Sequence, residues 1–289
     1  MVVVLGGSGF IGTAIRRELR RRRLGVWNLS RNVVDYTQAD ILRDHLRVRE
    51  VRCVINAAGF TGRPNVDACE LAKTECLAGN AVLPGVIRGV CEELNIPWGH
   101  VSSGCIYTGS KADGMGFTEL DPPNFSFRQN NCSFYSGCKA LGEEVLEGAR
   151  QCWIWRLRIP FCHRDSGRNY ISKLLRYRRL LDARNSLSQL DEFAAACVDC
   201  IERQVPFGTY HLTNPGSVTT REVVDLIRTT GLADREFDFF ASEDQFLQQA
   251  AKTPRSNCVL DTEKATAAGL RMTPIREALE KAMRGWVWE

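Results

Sequence analysis

Apolar and polar positions alternate along this chain with two different periods. A continuous apolar run at residues 2–5 meets a cluster of glycines, and apolar positions then recur every three or four residues from Phe10 to about Arg22. A short apolar run bounded by glycine is a buried strand, and the 3.6-residue period marks an amphipathic helix, so the chain opens on a strand–turn–helix unit. Further apolar runs at residues 24–29, 51–57, 96–102 and 152–157 are separated by helical stretches. Strands apolar on both faces, alternating with helices, predict an α/β fold whose parallel sheet is covered on both sides. Past Arg158-Ile159-Pro160 the alternation loosens: helices are expected at residues 171–181, 191–203, 219–229 and 274–283, with a brief strand at Tyr210-His211-Leu212. This pattern suggests a dinucleotide-binding core at residues 1–160. A smaller, discontinuous C-terminal lobe at 161–289 would bind substrate at the sheet's C-terminal edge, with some of its segments returning to the core.

Gly6-Gly7-Ser8-Gly9-Phe10-Ile11-Gly12 lies between the first strand and the first helix. Glycines there let the backbone approach a pyrophosphate, and the helix start supplies N–H donors and a positive end. The string satisfies G-x-G-x-x-G from Gly7 and G-x-x-G-x-x-G from Gly6. The expected fold is therefore a Rossmann-type doubly wound sheet, with Gly6, Ser8, Gly9, Phe10, Ile11 and Gly12 at the cofactor. Where an acid would hold the ribose of NAD, at the end of the second strand, the sequence has Ser30-Arg31. An arginine suits a 2′-phosphate, so NADPH is favoured and NADH is the alternative. Asp40, Ile41 and the Ala57-Ala58-Gly59 string complete the expected cofactor set.

Tyr135 and Lys139 stand four apart on a predicted helix, hence on one face. The tyrosine can protonate a carbonyl while the lysine holds the cofactor ribose and lowers the phenol's pKa. Many helices contain Y-x-x-x-K by chance; its weight here comes from order. The glycine loop, Asn56-Ala57-Ala58-Gly59, Ser102-Ser103 and the Tyr/Lys pair follow one another as in the short-chain dehydrogenase/reductases, which this chain resembles. In that superfamily Ser103 would hydrogen-bond the substrate carbonyl. A closer resemblance rests on Thr61-Gly62-Arg63-Pro64-Asn65-Val66-Asp67-Ala68-Cys69-Glu70, Ser103-Gly104-Cys105-Ile106-Tyr107, Ser133-Phe134-Tyr135-Ser136, Arg168-Asn169-Tyr170-Ile171-Ser172-Lys173 and Pro254-Arg255-Ser256-Asn257. These strings are similar to the UDP-4-keto-6-deoxyglucose 3,5-epimerase/4-reductases, which complete UDP-L-rhamnose. dTDP-4-dehydrorhamnose reductase and GDP-fucose synthase carry more distant versions.

The resemblance implies two further acid/base residues, Cys105 and Lys173, because inversion at C3 and C5 of a 4-keto sugar needs one group to remove a proton and another to return it. A cysteine near a lysine and the nicotinamide charge would carry a stabilised thiolate. The resemblance also implies that Thr61, Arg63, Asn65, Asn169 and Arg255 contact the nucleotide sugar. Two alternatives stand beside this reading. One is a 4-keto reductase without epimerase activity. The other is a non-catalytic NADP-binding regulatory subunit like that of methionine adenosyltransferase, which would be marked by a damaged Ser/Tyr/Lys set; here Ser103, Tyr135 and Lys139 are all present.

Composition narrows the remaining classes. A length of 289 residues with 44% hydrophobic content supports a full core. The N-terminal apolar run breaks at glycine before a leader or a span is complete, so a cytoplasmic protein without a membrane partner is expected. The basic run from Arg16 to Arg23 reads as a solvated helix end rather than a nucleic-acid site. The twelve cysteines fall in apolar segments and read as reduced packing residues. Cys197 and Cys200 lack a partner pair, so no metal site is expected. His163-Arg164-Asp165 matches a kinase triplet without the other kinase motifs, His45, His100 and His211 are isolated, and Trp286 and Trp288 are expected to close an edge. The partner is a small-molecule nucleotide sugar, with room for a homodimer.

Overall fold

A computed structural model of the protein describes residues 1–288. Its central sheet contains β1 (Val2–Leu5), β2 (Val26–Leu29), β3 (Cys53–Asn56), β4 (Trp98–Ser103), β5 (Cys152–Leu157) and an edge strand, Gly208–His211. Running from the edge strand, the order is β5, β4, β3, β1, β2, and every pairing is parallel. The strand order reverses between β1 and β3, and ligands of open α/β sheets bind in the crevice at such a point. The glycine loop and the Ala57-Ala58-Gly59 string leave the sheet there.

Period-2 geometry distributes the apolar strands to two faces. Val2 and Val4 join a core with Ile15 and Leu19 of α1 (Phe10–Arg21) and Phe193, Cys197 and Ile201 further along the chain. Val3 and Leu5 face a second core with Leu42 and Leu46 of α2 (Ala39–Arg47) and Ile87 and Val90. Between β3 and β4 the chain forms α3 (Lys73–Leu77), a π turn at Ala78–Val82 and α4 (Leu83–Glu93); α5 (Phe134–Val145) precedes β5. The π turn brings Asn80 inward, where it donates to the Phe60 and Cys76 carbonyls and accepts from the Phe60 amide. That clamp holds the loop after β3.

Past β5 come α6 (Tyr170–Arg176), α7 (Leu190–Glu202), α8 (Thr220–Thr229), α9 (Glu243–Gln249), α10 (Glu263–Ala267) and α11 (Ile275–Arg284). Ile171, Leu174, Val223, Ile227, Leu279 and Met283 share a separate core with Phe161 and Leu187, whereas α7 and the Gly208–His211 strand complete the main sheet. The helix expected at 171–181 ends at Arg176, because Arg179–Leu180 pairs with Asp238–Phe239. The basic run is not simply solvated. Arg22 of that run is 18% exposed at its side chain and bridges Glu18 to Asp199 and Glu202 of α7, and Arg17 pairs with Asp191; the run clamps α1 to α7.

All twelve cysteines are free, eleven of them buried. Cys197 and Cys200 lie in the α7 core, and no metal-binding group of His, Cys, Asp or Glu occurs among the described residues. No helix among them is long and apolar enough to cross a membrane. Trp286 and Trp288 meet edge to face at 5.7 Å. His100 and His211 are not isolated: Asn56 and Arg156 bond them inside the core.

Candidate active site

The cofactor cradle is built by close backbone approach. Gly6 has φ +70°, and a Cβ placed on it would lie 2.5 Å from the Ala58 amide nitrogen. A Cβ on Gly12 would lie 2.3 Å from the Gly6 carbonyl oxygen. Only glycine satisfies both positions. Gly9 begins α1 with no side-chain cap, so the first-turn amides are left for a ligand, as a pyrophosphate site requires. The residues of this loop fit a nicotinamide dinucleotide. Tyr36, absent from the sequence-derived set, is buried with its hydroxyl at the Gly6 backbone, and burial pushes its phenol upward. Arg31 is exposed, with no carboxylate within 4.0 Å among the described residues. Asp40 and Ile41 lie on the exposed start of α2, where Asp40 pairs with Arg43.

The reaction centre forms where β4 ends. Ser103 caps a single turn, Gly104–Ile106, its hydroxyl accepting from the Cys105 amide at 3.2 Å. The hydrogen-bonded cap fixes Cys105 two residues beyond Ser103. Helix α5 packs on this turn. Its own start is capped by Ser133, which accepts from the Ser136 amide at 3.2 Å, and the Phe134 amide donates to Glu70 at 2.7 Å. Tyr135 packs against both the Cys105-containing cluster and the Cys69, Cys76, Cys138 cluster.

The electrostatics depart from the sequence reading in two respects. Lys139 is buried and donates to the Val101 carbonyl at 3.1 Å, while burial lowers its pKa. The Tyr135 phenol stands well above its ordinary value, first because it is buried and then because thiols surround it; the expected lowering by Lys139 is not what this geometry produces. A phenol held neutral is the form a proton donor needs. Cys105 likewise is no stabilised thiolate: burial raises its pKa, opposed by the Ser103 hydroxyl, Arg158, the Ser136 hydroxyl and Lys139. Lys173 is partly buried on α6, and burial, then Arg168, push its ammonium below the usual lysine range.

The sequence strings singled out above converge. Arg168 donates to the Thr61 hydroxyl and the Gly62 carbonyl, both at 3.0 Å. Arg255 pairs with Asp67 at 2.7 Å, and the Lys252 amide also donates to Asp67. The loop at 61–67 is thus stitched to the start of α6 and to the Pro254–Asn257 strap. Among the expected sugar contacts, Arg63 is exposed, whereas Asn65 accepts from the Asp67 amide at 2.8 Å. Asn169 is fully buried and its amide is consumed: it accepts from Ile171 and Cys162 and donates to the carbonyls of Cys162 and Arg164. In this structure it clamps the loop between Cys162 and the start of α6. Arg158, Asn80 and Tyr36 were not foreseen, and Arg168 was marked only as part of its string; charged residues at 156 and 158 at the end of an apolar strand were the available signal.

Residues 1–286 match the family described as RmlD substrate binding domain. The chain belongs to that family. It is 34% identical over 236 residues to an Arabidopsis thaliana protein named bifunctional dTDP-4-dehydrorhamnose 3,5-epimerase/dTDP-4-dehydrorhamnose reductase, covering 79% of this chain and 75% of the relative. It is 30% identical over 288 residues to a trifunctional UDP-glucose 4,6-dehydratase/UDP-4-keto-6-deoxy-D-glucose 3,5-epimerase/UDP-4-keto-L-rhamnose-reductase of the same plant, spanning 98% of this chain but 41% of that protein. The crystal structure of the L780 UDP-rhamnose synthase of Acanthamoeba polyphaga mimivirus superposes with a TM-score of 0.89 at 25% identity, covering 98% of each chain. This RmlD-family chain therefore shares its whole architecture with enzymes of rhamnose synthesis.

Proposed function

We propose that this chain is a bifunctional 3,5-epimerase/4-reductase that converts UDP-4-keto-6-deoxyglucose to UDP-L-rhamnose with NADPH. The observation that carries the reading is the placing of Cys105 on the turn that Ser103 caps, packed against the helix of Tyr135 and Lys139. Ser103 and Tyr135 are a reduction pair: the serine hydroxyl orients the C4 carbonyl and the neutral phenol protonates its oxygen. NADPH, when bound, supplies the hydride. Lys139 fixes the cofactor ribose, and Arg31 receives its 2′-phosphate.

Reduction at C4 does not need a thiol or a second amine, and inversion does. The 4-keto group acidifies the hydrogens on C3 and C5. Lys173, with its depressed pKa, has a larger neutral fraction and takes the proton from carbon. Cys105, a thiol with a raised pKa, returns one from the opposite face. The UDP moiety is favoured because the relative matched along nearly the whole chain and the structural match at 25% identity both carry UDP in their names.

Incubation with UDP-4-keto-6-deoxyglucose and NADPH, followed by identification of the sugar, is expected to yield UDP-L-rhamnose. In D₂O the wild type is expected to incorporate deuterium at C3 and C5, and Cys105→Ala and Lys173→Ala to lose that exchange while still oxidising NADPH with a sugar of already inverted configuration. Exchange at the wild-type rate in both variants would leave a reductase alone.

A further inference from the structure

Arg158 carries a buried positive charge that no carboxylate among the described residues neutralises. Its side chain is 6% exposed overall, and among the described residues no carboxylate lies within 4.0 Å. Arg156, two residues earlier and 5% exposed, shows the ordinary solution, pairing with Glu143 at 2.6 Å. Arg158 instead donates from Nη2 to the Asn185 side-chain oxygen at 2.7 Å and to the Ser256 carbonyl, both neutral, and its Nε is sealed from solvent with no partner. Guanidinium does not shed its proton, so a charge in this position is costly to bury.

The backbone around it is held firmly. The Arg158 amide donates to the Ser188 hydroxyl at 2.9 Å, and its carbonyl accepts from the Ser188 amide at 2.7 Å. Ile159, immediately after it, has φ 37°, a left-handed conformation that β-branched residues rarely enter. The stem passes under the reaction centre: a Cβ on Gly104 would lie 3.6 Å from Arg158 Cδ. The next residue is Cys105.

We propose that Arg158 is a positioning residue whose fixed charge makes the Cys105 thiol acidic enough to exchange protons with carbon. This inference rests on the proposed role of Cys105. The groups around that thiol are Ser103 from β4, Ser136, Lys139 and Tyr135 from α5, Cys132 just before α5, Cys258 from the strap and Arg158 from the end of β5. Only Lys139 and Arg158 among them are cationic, and of the two Arg158 acts more strongly on the thiol. Burial raises the thiol, and Arg158 opposes it. Once a proton has left sulfur for carbon, the thiolate shares the Gly104 turn with the Arg158 stem.

The test is the pH dependence of Cys105 alkylation by iodoacetamide in the NADP⁺-loaded protein, followed by peptide mass spectrometry, in wild type, Arg158→Met and Arg158→Lys. Loss of the charge is expected to move the Cys105 midpoint up by a unit or more, which slows alkylation about tenfold at a fixed pH below it. Arg158→Lys keeps the charge but loses the fork to Asn185 and Ser256, and is expected to stay near the wild-type midpoint. An unmoved midpoint in Arg158→Met overturns the proposal, as does a lysine variant shifted as far as the methionine one. Should Arg158→Met not fold, Arg158→Gln takes its place as the uncharged variant: an upward shift of a unit or more supports the proposal, and an unmoved midpoint overturns it. Deuterium exchange at C3 and C5 should fall at least tenfold in Arg158→Met and recover in Arg158→Lys. If the wild type exchanges no deuterium, the bifunctional reading fails, while the alkylation midpoints still judge Arg158.

Discussion

Tyr135, held neutral by burial, and Arg31, left without a carboxylate, carry the sharpest consequences for single residues. Tyr135→Phe removes the proposed proton donor while keeping the ring that packs against the clusters of Cys105 and Cys138, so NADPH oxidation with a 4-keto-6-deoxy sugar nucleotide should fall ~10²–10⁴-fold at nearly unchanged Tm. Near-normal turnover in a steady-state absorbance assay would remove the enzyme reading. Arg31→Ala should raise KM for NADPH and leave that for NADH in place, because only the 2′-phosphate contact is lost. A wild type indifferent to the two cofactors would return Arg31 to an ordinary loop residue. At this scale the spacing of Ser103, Tyr135 and Lys139 was readable because a helix turn and a strand end place them. The role of Asn169 was not, since its partners are backbone groups at Cys162 and Arg164 that no spacing rule connects. Arg158 was equally hidden: an arginine at a strand end is usually solvated, and only the three-dimensional absence of a carboxylate marks it.

The glycine loop and α1 form one element, and their geometry was the most legible part of the chain. The predicted β1 and α1 agree with the structure because a buried strand, a glycine turn and a 3.6-residue period are local signals. What sits on α1's outer surface was misread, because Arg17 and Arg22 meet carboxylates of α7 more than 150 residues away, a pairing that arises only when α7 docks on the sheet. The overrun of α6 has the same origin, since Leu180 leaves the helix to pair with the Asp238–Phe239 strand. The loop itself tolerates little. Gly12→Ala sets a methyl group 2.3 Å from a backbone oxygen that cannot rotate away, so the loop must open and the backbone amides must leave the pyrophosphate. NADPH affinity, measured by fluorescence titration, should weaken at least about tenfold, with overpacking destabilising the fold by roughly 1–3 kcal/mol. Unchanged affinity would mean that the dinucleotide does not sit on this turn.

For the molecule as a whole, two buried histidines are held neutral inside the sheet, His211 on its edge strand and His100 on β4 near its centre. His211 accepts at Nε2 from Arg156, which can only donate, and therefore carries its proton on Nδ1, toward the Asp261 carbonyl. Burial, and then the Arg156 charge, lower its pKa to about 3. His100 is bonded to Asn56, and burial followed by Lys139 holds it well below the usual histidine value. Above an unfolded-state pKa near 6.5 both states are neutral and the stabilisation is complete. As pH falls below that value the unfolded chain binds protons that the native state refuses, so stability drops progressively toward the folded pKa. Between pH 8 and pH 5 the loss from His211 is about 2 kcal/mol, from 1.36 kcal/mol per pH unit, and His100 adds to it in the same direction. Urea unfolding at the two pH values should therefore show the wild type at least about 2 kcal/mol weaker at pH 5 from this pair. A His100→Gln, His211→Gln double variant should start less stable at pH 8, having lost the fitted rings, yet show a pH dependence flatter by that same amount. If the double variant lost as much stability as the wild type between pH 8 and pH 5, the acid sensitivity would reside in groups other than these two imidazoles.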